Sequence, residues 1–302
     1  MANNTVDFSS ILGKGLGPRH MEYTWRDIAL YALGVGAGKN DLPYIYERCK
    51  SGMKILPTFT LLPYINNINM YPLRYVPSGP NEILSDFIVA QLGYTPNRLH
   101  MAMELTVHRP IRDLEGMLIT EDRLNAVYDR GTGKGIVADC QMDVYDRAGN
   151  ALSTLHSYHF HNAFGGFGGQ SFSPCKISYP DRAPDYSVAE HMPDNISVLY
   201  RLSGDTYNVH IDPEVSGAYG YKAPFNQGLC TYGYAVRMII QQLFPYEPER
   251  VKRIYAQMRN VCYPGQNVVL QIWSIDEGRV VFKLLGEENV LLLGNGILEF
   301  QC

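Results

Sequence analysis

Apolar residues recur at helical spacing through Leu229, Tyr232, Gly233, Val236, Ile239, Ile240 and Leu243, and the run stops before Pro245. Much of its circumference is apolar, which predicts a helix wrapped by other structure. After Pro264-Gly265 the period changes to two. Residues 268–275, 279–285 and 289–300 read as strands, parted by turns at Glu277-Gly278 and Glu287-Glu288. Sequential strands with short turns make an antiparallel meander. The C-terminal third therefore predicts an antiparallel sheet curled around one helix.

The N-terminal half shows the same order. Residues 24–35 carry helical spacing at Ile28, Tyr31, Ala32 and Val35, and Gly34, Gly36 and Gly38 close the run. Strand-like stretches follow at 99–107, 118–128, 135–145 and 151–162. The order of elements supports an internal repeat, which the letters alone do not reveal. Residues 171–193 are the linker candidate, with Pro174, Pro180, Pro184 and Pro193 and no sustained period. The expected division is 1–170, linker 171–193, and 194–302.

At 302 residues the chain can bury one large core or two ordinary ones. Its 46% hydrophobic and 19% charged content is that of a soluble globular protein. A net charge of −4 gives no basic field for nucleic acid or an anionic membrane. No apolar run approaches the ~20 residues of a membrane span. Met1-Ala2-Asn3-Asn4 lacks a secretory layout, and Glu299-Phe300-Gln301-Cys302 is neither a peroxisomal address of the S-K-L type nor a prenylation signal. The cytoplasm is the expected compartment, with the peroxisome the alternative. The cysteines at 49, 140, 175, 230, 262 and 302 show no paired spacing, so reduced thiols are expected, and Cys230 reads as a buried helix residue before it reads as a nucleophile.

The glycine-rich runs at 13–17, 131–135 and 164–169 lack the lysine and spacing of a phosphate cradle and read as turns. His156, His159 and His161 crowd one predicted strand, where 159 and 161 share a face. No carboxylate or cysteine stands at a confirming spacing, so a polar strand face is the reading and no metal is expected. The strongest chemistry lies in Gly204-Asp205-Thr206-Tyr207-Asn208-Val209-His210. A carboxylate and an imidazole five positions apart can hold one water between them, one accepting a proton while the other donates. Downstream, Gln227-Gly228-Leu229-Cys230-Thr231 starts the apolar helix, and amides at a helix N-terminus suit a developing oxyanion.

Tyr200-Arg201-Leu202-Ser203-Gly204-Asp205, His210-Ile211-Asp212-Pro213 and Gly228-Leu229-Cys230-Thr231 resemble the hydratase-2 signature of MaoC-like enoyl-CoA hydratases. Tyr31 to Ala37, Asp41-Leu42, Tyr46-Glu47, Leu56 to Phe59 and the glycines at 165–169 are similar to the N-terminal half of eukaryotic hydratase 2. The resemblance implies an α+β double hotdog, with two antiparallel sheets each wrapped around a long central helix. It implies reversible addition of water to a trans-2-enoyl-CoA, giving the (3R)-3-hydroxyacyl-CoA, with no cofactor and no metal. It assigns water activation to Asp205 and His210, and thioester-oxygen binding to the Gly228 amide. The N-terminal half is expected to be degenerate and to accommodate the acyl chain, with Glu47 a functional acidic residue there. The expected partners are an acyl-CoA or acyl-carrier-protein thioester and a second copy of the chain, as a homodimer. Arg250, Lys252, Arg253 and Arg259 form the densest cationic run and are the candidates for the CoA phosphates. A solvated helix-to-strand connection is the competing reading of that run.

The chain departs from the family pattern inside the site. Tyr207 stands where the pattern has Asn, Asn208 where it has Pro, and Gln227 where it has His. All three are expected to meet substrate. The acid–base pair is intact, so two alternatives remain: a dehydratase or lyase on an unusual acyl thioester of specialised metabolism, and an acyl-thioester-binding protein without catalysis.

Overall fold

Thr24 starts the first helix for a local reason. Its hydroxyl accepts a hydrogen bond from the Arg26 amide at 3.3 Å, and the Asp27 carboxylate accepts one from the Thr24 amide at 2.8 Å. This reciprocal cap contributes about 1 kcal/mol and opens α1, Trp25–Gly34. The computed structural model describes residues 6–65, 80–173 and 175–302, so residues 1–5, 66–79 and Pro174 lie outside it, Met1 to Asn4 and Pro174 of the sequence reading among them. α2 spans Pro80–Leu92, α3 Ile196–Arg201, α4 Pro213–Ala218 and α5 Gly228–Leu243. The strands are β1 Arg19–Tyr23, β2 Arg98–Val107, β3 Gly116–Asp129, β4 Ile136–Tyr145, β5 Ala151–His161, β6 Tyr186–His191, β7 Val251–Met258, β8 Asn267–Asp276, β9 Arg279–Leu285 and β10 Leu291–Phe300.

These strands form one sheet, in the order β1-β3-β4-β5-β2-β7-β10-β9-β8-β6. The expected pair of sheets is therefore corrected to a single one. The two halves fuse edge to edge through β2 and β7, paired antiparallel from Ala102↔Gln257 to Thr106↔Arg253. Read outward from that seam, the halves repeat each other, and each uses one strand, a helical stretch, then four strands. Joining the edges hides the strand rims that separate sheets would expose. Arg253 rivets the seam by binding Glu104 through two bonds of 2.9 and 3.0 Å and Glu299 at 3.2 Å.

The helices break the symmetry. α5 has 16 residues and is buried on nearly every side, as its all-round apolar pattern demands. α1 has 10 residues, so the expectation of a long helix in each half is met in the C-terminal half alone. α2 covers a further part of the N-terminal sheet over a separate apolar cluster of Leu84, Ile88, Leu124 and Ile136. α1 crosses α5 at Gly233, where an added Cβ would lie 2.7 Å from the Tyr31 hydroxyl and from Val35. Arg237 of α5 ties the crossing to the sheet, donating to the Val35 carbonyl at 2.9 Å and pairing with Glu190 of β6.

Two segments differ from the sequence reading. The linker candidate contains β6, an edge strand paired with β8, so the C-terminal half takes in residues before 194. The cationic run around 250–259 is β7, a central strand, in place of a solvated connection.

Candidate active site

α3 ends in a turn that Gly204 completes at φ +131°, a backbone region that favours glycine. The turn sends Asp205 inward, where it is buried. The Asp205 Oδ1 accepts the Tyr207 amide at 3.3 Å. Burial raises its pKa, opposed by the positive potential of His210, by that amide, and by Arg201. A single 3-10 turn, Asn208–His210, then brings the imidazole back toward the carboxylate. Asp212 and Pro213 finish the loop by starting α4, with the Asp212 side chain accepting the Glu214 amide at 2.9 Å.

The orientation of His210 is fixed by the backbone. Its Nδ1 lies 2.9 Å from the Phe225 carbonyl oxygen. A carbonyl can accept and cannot donate, so Nδ1 carries the proton and Nε2 keeps its lone pair. Burial lowers the His210 pKa, opposed by Asp205 and the Phe225 carbonyl. The neutral ring is thus a ready acceptor beside a carboxylate. Phe225 and Tyr207 both meet the imidazole edge to face, at 5.0 and 6.0 Å between ring centres.

Asn226 anchors the turn into α5. Its amide donates to the Cys262 carbonyl at 2.7 Å and its Oδ1 accepts the Ser197 hydroxyl at 2.5 Å. The first helical bond of α5 runs from the Thr231 amide to the Gln227 carbonyl at 3.1 Å, and no side chain among the described residues caps the start. The amides of Gly228, Leu229 and Cys230 therefore have no partner within the helix. Leu229 and Cys230 are buried while Gly228 is part-exposed, and a Cβ added there would sit 3.6 Å from Met258 of β7. Uncapped amides at the positive end of a long helix suit an anionic oxygen.

The structure thus gathers Asp205, His210 and the start of α5 on one segment. The other expected site residues divide. Tyr207 flanks His210, but its hydroxyl points away, donating to Tyr219 at 3.0 Å. Asn208 is exposed, apart from the buried Asp205. Gln227 is buried, donates to the Ser197 carbonyl at 3.3 Å, and leaves its Oε1 without a partner among the described residues. Glu47 is placed elsewhere: its loop packs at the far end of α5, through Tyr246 to Asp41 at 3.2 Å and Lys54 to Glu249 at 3.1 Å. The helix between is about 24 Å long, and Glu47 pairs with Arg48. The cationic run is spread along β7 and makes no common patch. Arg250 lies over Phe244 and Phe300 at the far end, Arg253 is held by its two glutamates, and Lys252 is exposed. Arg259 alone follows Met258 and stands at the site's end of the strand.

Cys230 is buried, its thiol donates to the Gly34 carbonyl at 3.3 Å, and burial pushes its pKa well up, so it is a core residue. His156 faces out of the core toward Asp139 at 2.9 Å while His159 and His161 face in. The Phe225 carbonyl and Asn226 escaped the sequence reading. A backbone acceptor leaves no mark in the letters.

Residues 21–162 match the family model described as the MFE-2 hydratase 2 N-terminal domain, and residues 176–293 match that of the MaoC-like domain. The chain is 29% identical over 287 residues to a probable enoyl-CoA hydratase 2 of Dictyostelium discoideum, covering 92% of this chain and 91% of that protein. It is 32% identical over 277 residues to the peroxisomal multifunctional enzyme type 2 of Mus musculus, covering 89% of this chain and 35% of that longer one. Its fold superimposes on a MaoC-like dehydratase from Phytophthora capsici with a TM-score of 0.83 at 25% identity, over 98% of this chain and 99% of that one. No helix among the described residues is long and apolar enough to cross a membrane.

Proposed function

The chain belongs to the MaoC-like hydratase 2 family and is a hydro-lyase, and from that premise we propose that it adds water to, or removes it from, the 2,3 bond of an acyl thioester through Asp205, His210 and Gly228. In the hydration direction a water sits between Asp205 and His210. His210 Nε2 takes one of its protons as the oxygen bonds to C3. The π pair moves through C2 to the thioester oxygen, which becomes an enolate bound by the Gly228 amide. The imidazolium then returns that proton to C2, and the thioester carbonyl re-forms. One water is added and no charge is left behind. The Asp205 carboxylate holds the water and stabilises the transient imidazolium. Dehydration runs the same steps backwards.

The observation that carries this reading is the Nδ1 bond to the Phe225 carbonyl, which leaves Nε2 as an acceptor beside a buried carboxylate. The C-terminal half supplies the chemistry and the N-terminal half receives the acyl chain. Arg259, at the site's end of β7, is the cation retained for the CoA phosphates. The homodimer implied by the resemblance is supported by exposed apolar side chains on adjoining elements, Trp25 of α1 and Val198 and Leu202 at α3, and molar mass from light scattering tests it.

The central test is the loss of conjugated-thioester absorbance with crotonyl-CoA and a longer trans-2-enoyl-CoA. General acid–base groups contribute about 10²- to 10⁴-fold, so Asp205→Asn and His210→Ala should each lower kcat by that order. Turnover that survives both changes would falsify the mechanism. Tyr207 beside His210 and Gln227 at the start of α5 favour an unusual acyl thioester over an ordinary fatty acyl one, because they alter the site's surroundings and leave its acid–base pair in place.

A further inference from the structure

The inner face of the N-terminal sheet carries a strip that hydrophobic packing does not explain. His100 of β2 and His159 of β5 are register partners with rings stacked 4.7 Å apart. Ser157 lies 2.7 Å from His159 Nε2 and 3.1 Å from His100 Nε2, and the Tyr64 hydroxyl is 2.7 Å from His159 Nε2. Next to them, His161 is 2.9 Å from Asn81 of α2 and keeps its Nδ1 buried, with no partner among the described residues. A β-bulge at Met101 puts His100 on this inner face. Along the same face, Leu105, Leu155 and Met103 belong to the apolar core. The polar strip thus interrupts a surface that is otherwise oily.

Its position links it to the site. Pairing of β2 with β7 runs to Ala102↔Gln257, which sets His100 one strand away from Met258, the residue against Gly228. His159 lies one strand further on. With strands about 4.8 Å apart, the strip begins roughly 10 Å from the amide proposed to bind the thioester oxygen. On its other side, the charge of Arg98 reaches both His100 and Tyr207, the residue beside the catalytic imidazole. Burial lowers the pKa of His100 and of His161 to about 4, and that of His159 further, so at neutral pH all three rings are uncharged and each offers one donor and one acceptor. Neutral donors and acceptors in a dry wall suit a hydroxyl or a carbonyl. They do not suit a carboxylate, which would face no cation on the strip itself, and a bare hydrocarbon would leave the buried His161 Nδ1 without a partner, while the other groups of the strip would keep one another.

We infer that the strip of His100, His159, Ser157, Tyr64 and His161 is the specificity wall of the acyl-binding region, and that the preferred acyl thioester carries a hydroxyl or keto oxygen several carbons beyond the reacting bond. The inference rests on the hydratase reading above and adds the class of acyl group. A wall built to hydrogen-bond an oxygen discriminates strongly against the chain that lacks it.

The test uses trans-2-enoyl-CoA esters of one medium length, one unsubstituted and the others hydroxylated at successive carbons toward the far end. At one position kcat/KM should exceed that of the unsubstituted ester by at least about tenfold. Tyr64→Phe, which removes one hydroxyl, and His159→Leu should each bring that ratio down about tenfold. An unsubstituted ester that is best across the series, or ratios unmoved by both variants, overturns the inference. If no ester is turned over, the hydratase reading fails on its own, and the same ratio is then read from the Kd values of the saturated acyl-CoA counterparts by calorimetry. A hydroxyl preference in those values, lost in Tyr64→Phe, upholds the wall, and its absence sinks it.

Discussion

Replacing Gly228 by proline isolates one backbone amide. Gly228 is the first residue of α5, a position where proline is well tolerated and where the amide has no partner in the helix. The preceding Gln227 already adopts φ −54°, ψ 138°, the extended conformation that a following proline requires. The new Cβ would meet Met258 at 3.6 Å, an ordinary contact. Gly228→Pro should therefore fold and should lose one hydrogen-bond donor at the point where the thioester oxygen gains charge. Loss of one such donor costs about 3 kcal/mol, or about 10²- to 10³-fold in kcat. Gly228→Ala adds the same Cβ and keeps the amide, so it is the matched control and should stay close to the parent. Initial rates with crotonyl-CoA, alongside thermal unfolding by circular dichroism, make the comparison. If the proline variant unfolds at the parent's temperature and its kcat lies within about fivefold of the alanine variant, the Gly228 amide is not an oxyanion donor.

Two further predictions concern the acid–base pair. The working state pairs a neutral His210 with an ionised Asp205, and acid removes both. Since burial lowers the His210 pKa from its ordinary value, the imidazole should titrate below pH 6.5 when its ring proton shifts are followed by NMR against pH, and titration above 6.5 would contradict the assignment. Asp205 should also cost stability. Its folded pKa lies above its unfolded one, so the favourable contribution is present below the unfolded pKa and is lost as pH rises through the folded one. Asp205→Asn should then raise the Tm at neutral pH, with the gain vanishing below pH 3.8, and a Tm that falls at neutral pH would show the carboxylate to be well solvated or paired.

The candidate site's segment was legible because Asp205, His210 and Gly228 lie on one stretch of chain, so their types and spacing carry the signal. Strands with one wet face were legible too: the predicted strand at 279–285 matches β9, Arg279–Leu285. β6 was hidden because it is an edge strand with no fully buried position, set among prolines. β7 was misread because it is central. Its outer face needs Arg253 as a cross-strand rivet, so a core strand presents itself in sequence as a cationic run. The distance of Glu47 from Asp205 and His210 was not legible, because a sequence motif does not reveal which end of a helix a loop will reach. The histidine strip was out of reach for a different reason. His100 and His159 are 59 positions apart, and it takes a β-bulge, invisible in the letters, to turn His100 toward its partner.

On the proposed mechanism, the repeat gives a reason for the chemistry to sit in one half and not the other. Within it, the start of α1 corresponds to the start of α5, each being the helix that follows the half's first strand and runs through the core. At α1, Thr24 and Asp27 form a full capping box, so side chains already occupy the first-turn hydrogen bonds. An oxyanion arriving there would compete with the protein's own oxygens and with the charge of Asp27. At α5, Gln227 turns its side chain to the Ser197 carbonyl and leaves the first turn uncapped. That omission forgoes about 1 kcal/mol of capping, and it leaves a positive helix end open toward Asp205 and His210. The N-terminal half, with its shorter helix, has instead an inner sheet face partly uncovered by α1, and that face adjoins Gly228 across β7 and β2. On the proposed mechanism, the single sheet then joins the two halves in one site: the seam sets the wall of one half beside the proposed acid, base and amide of the other.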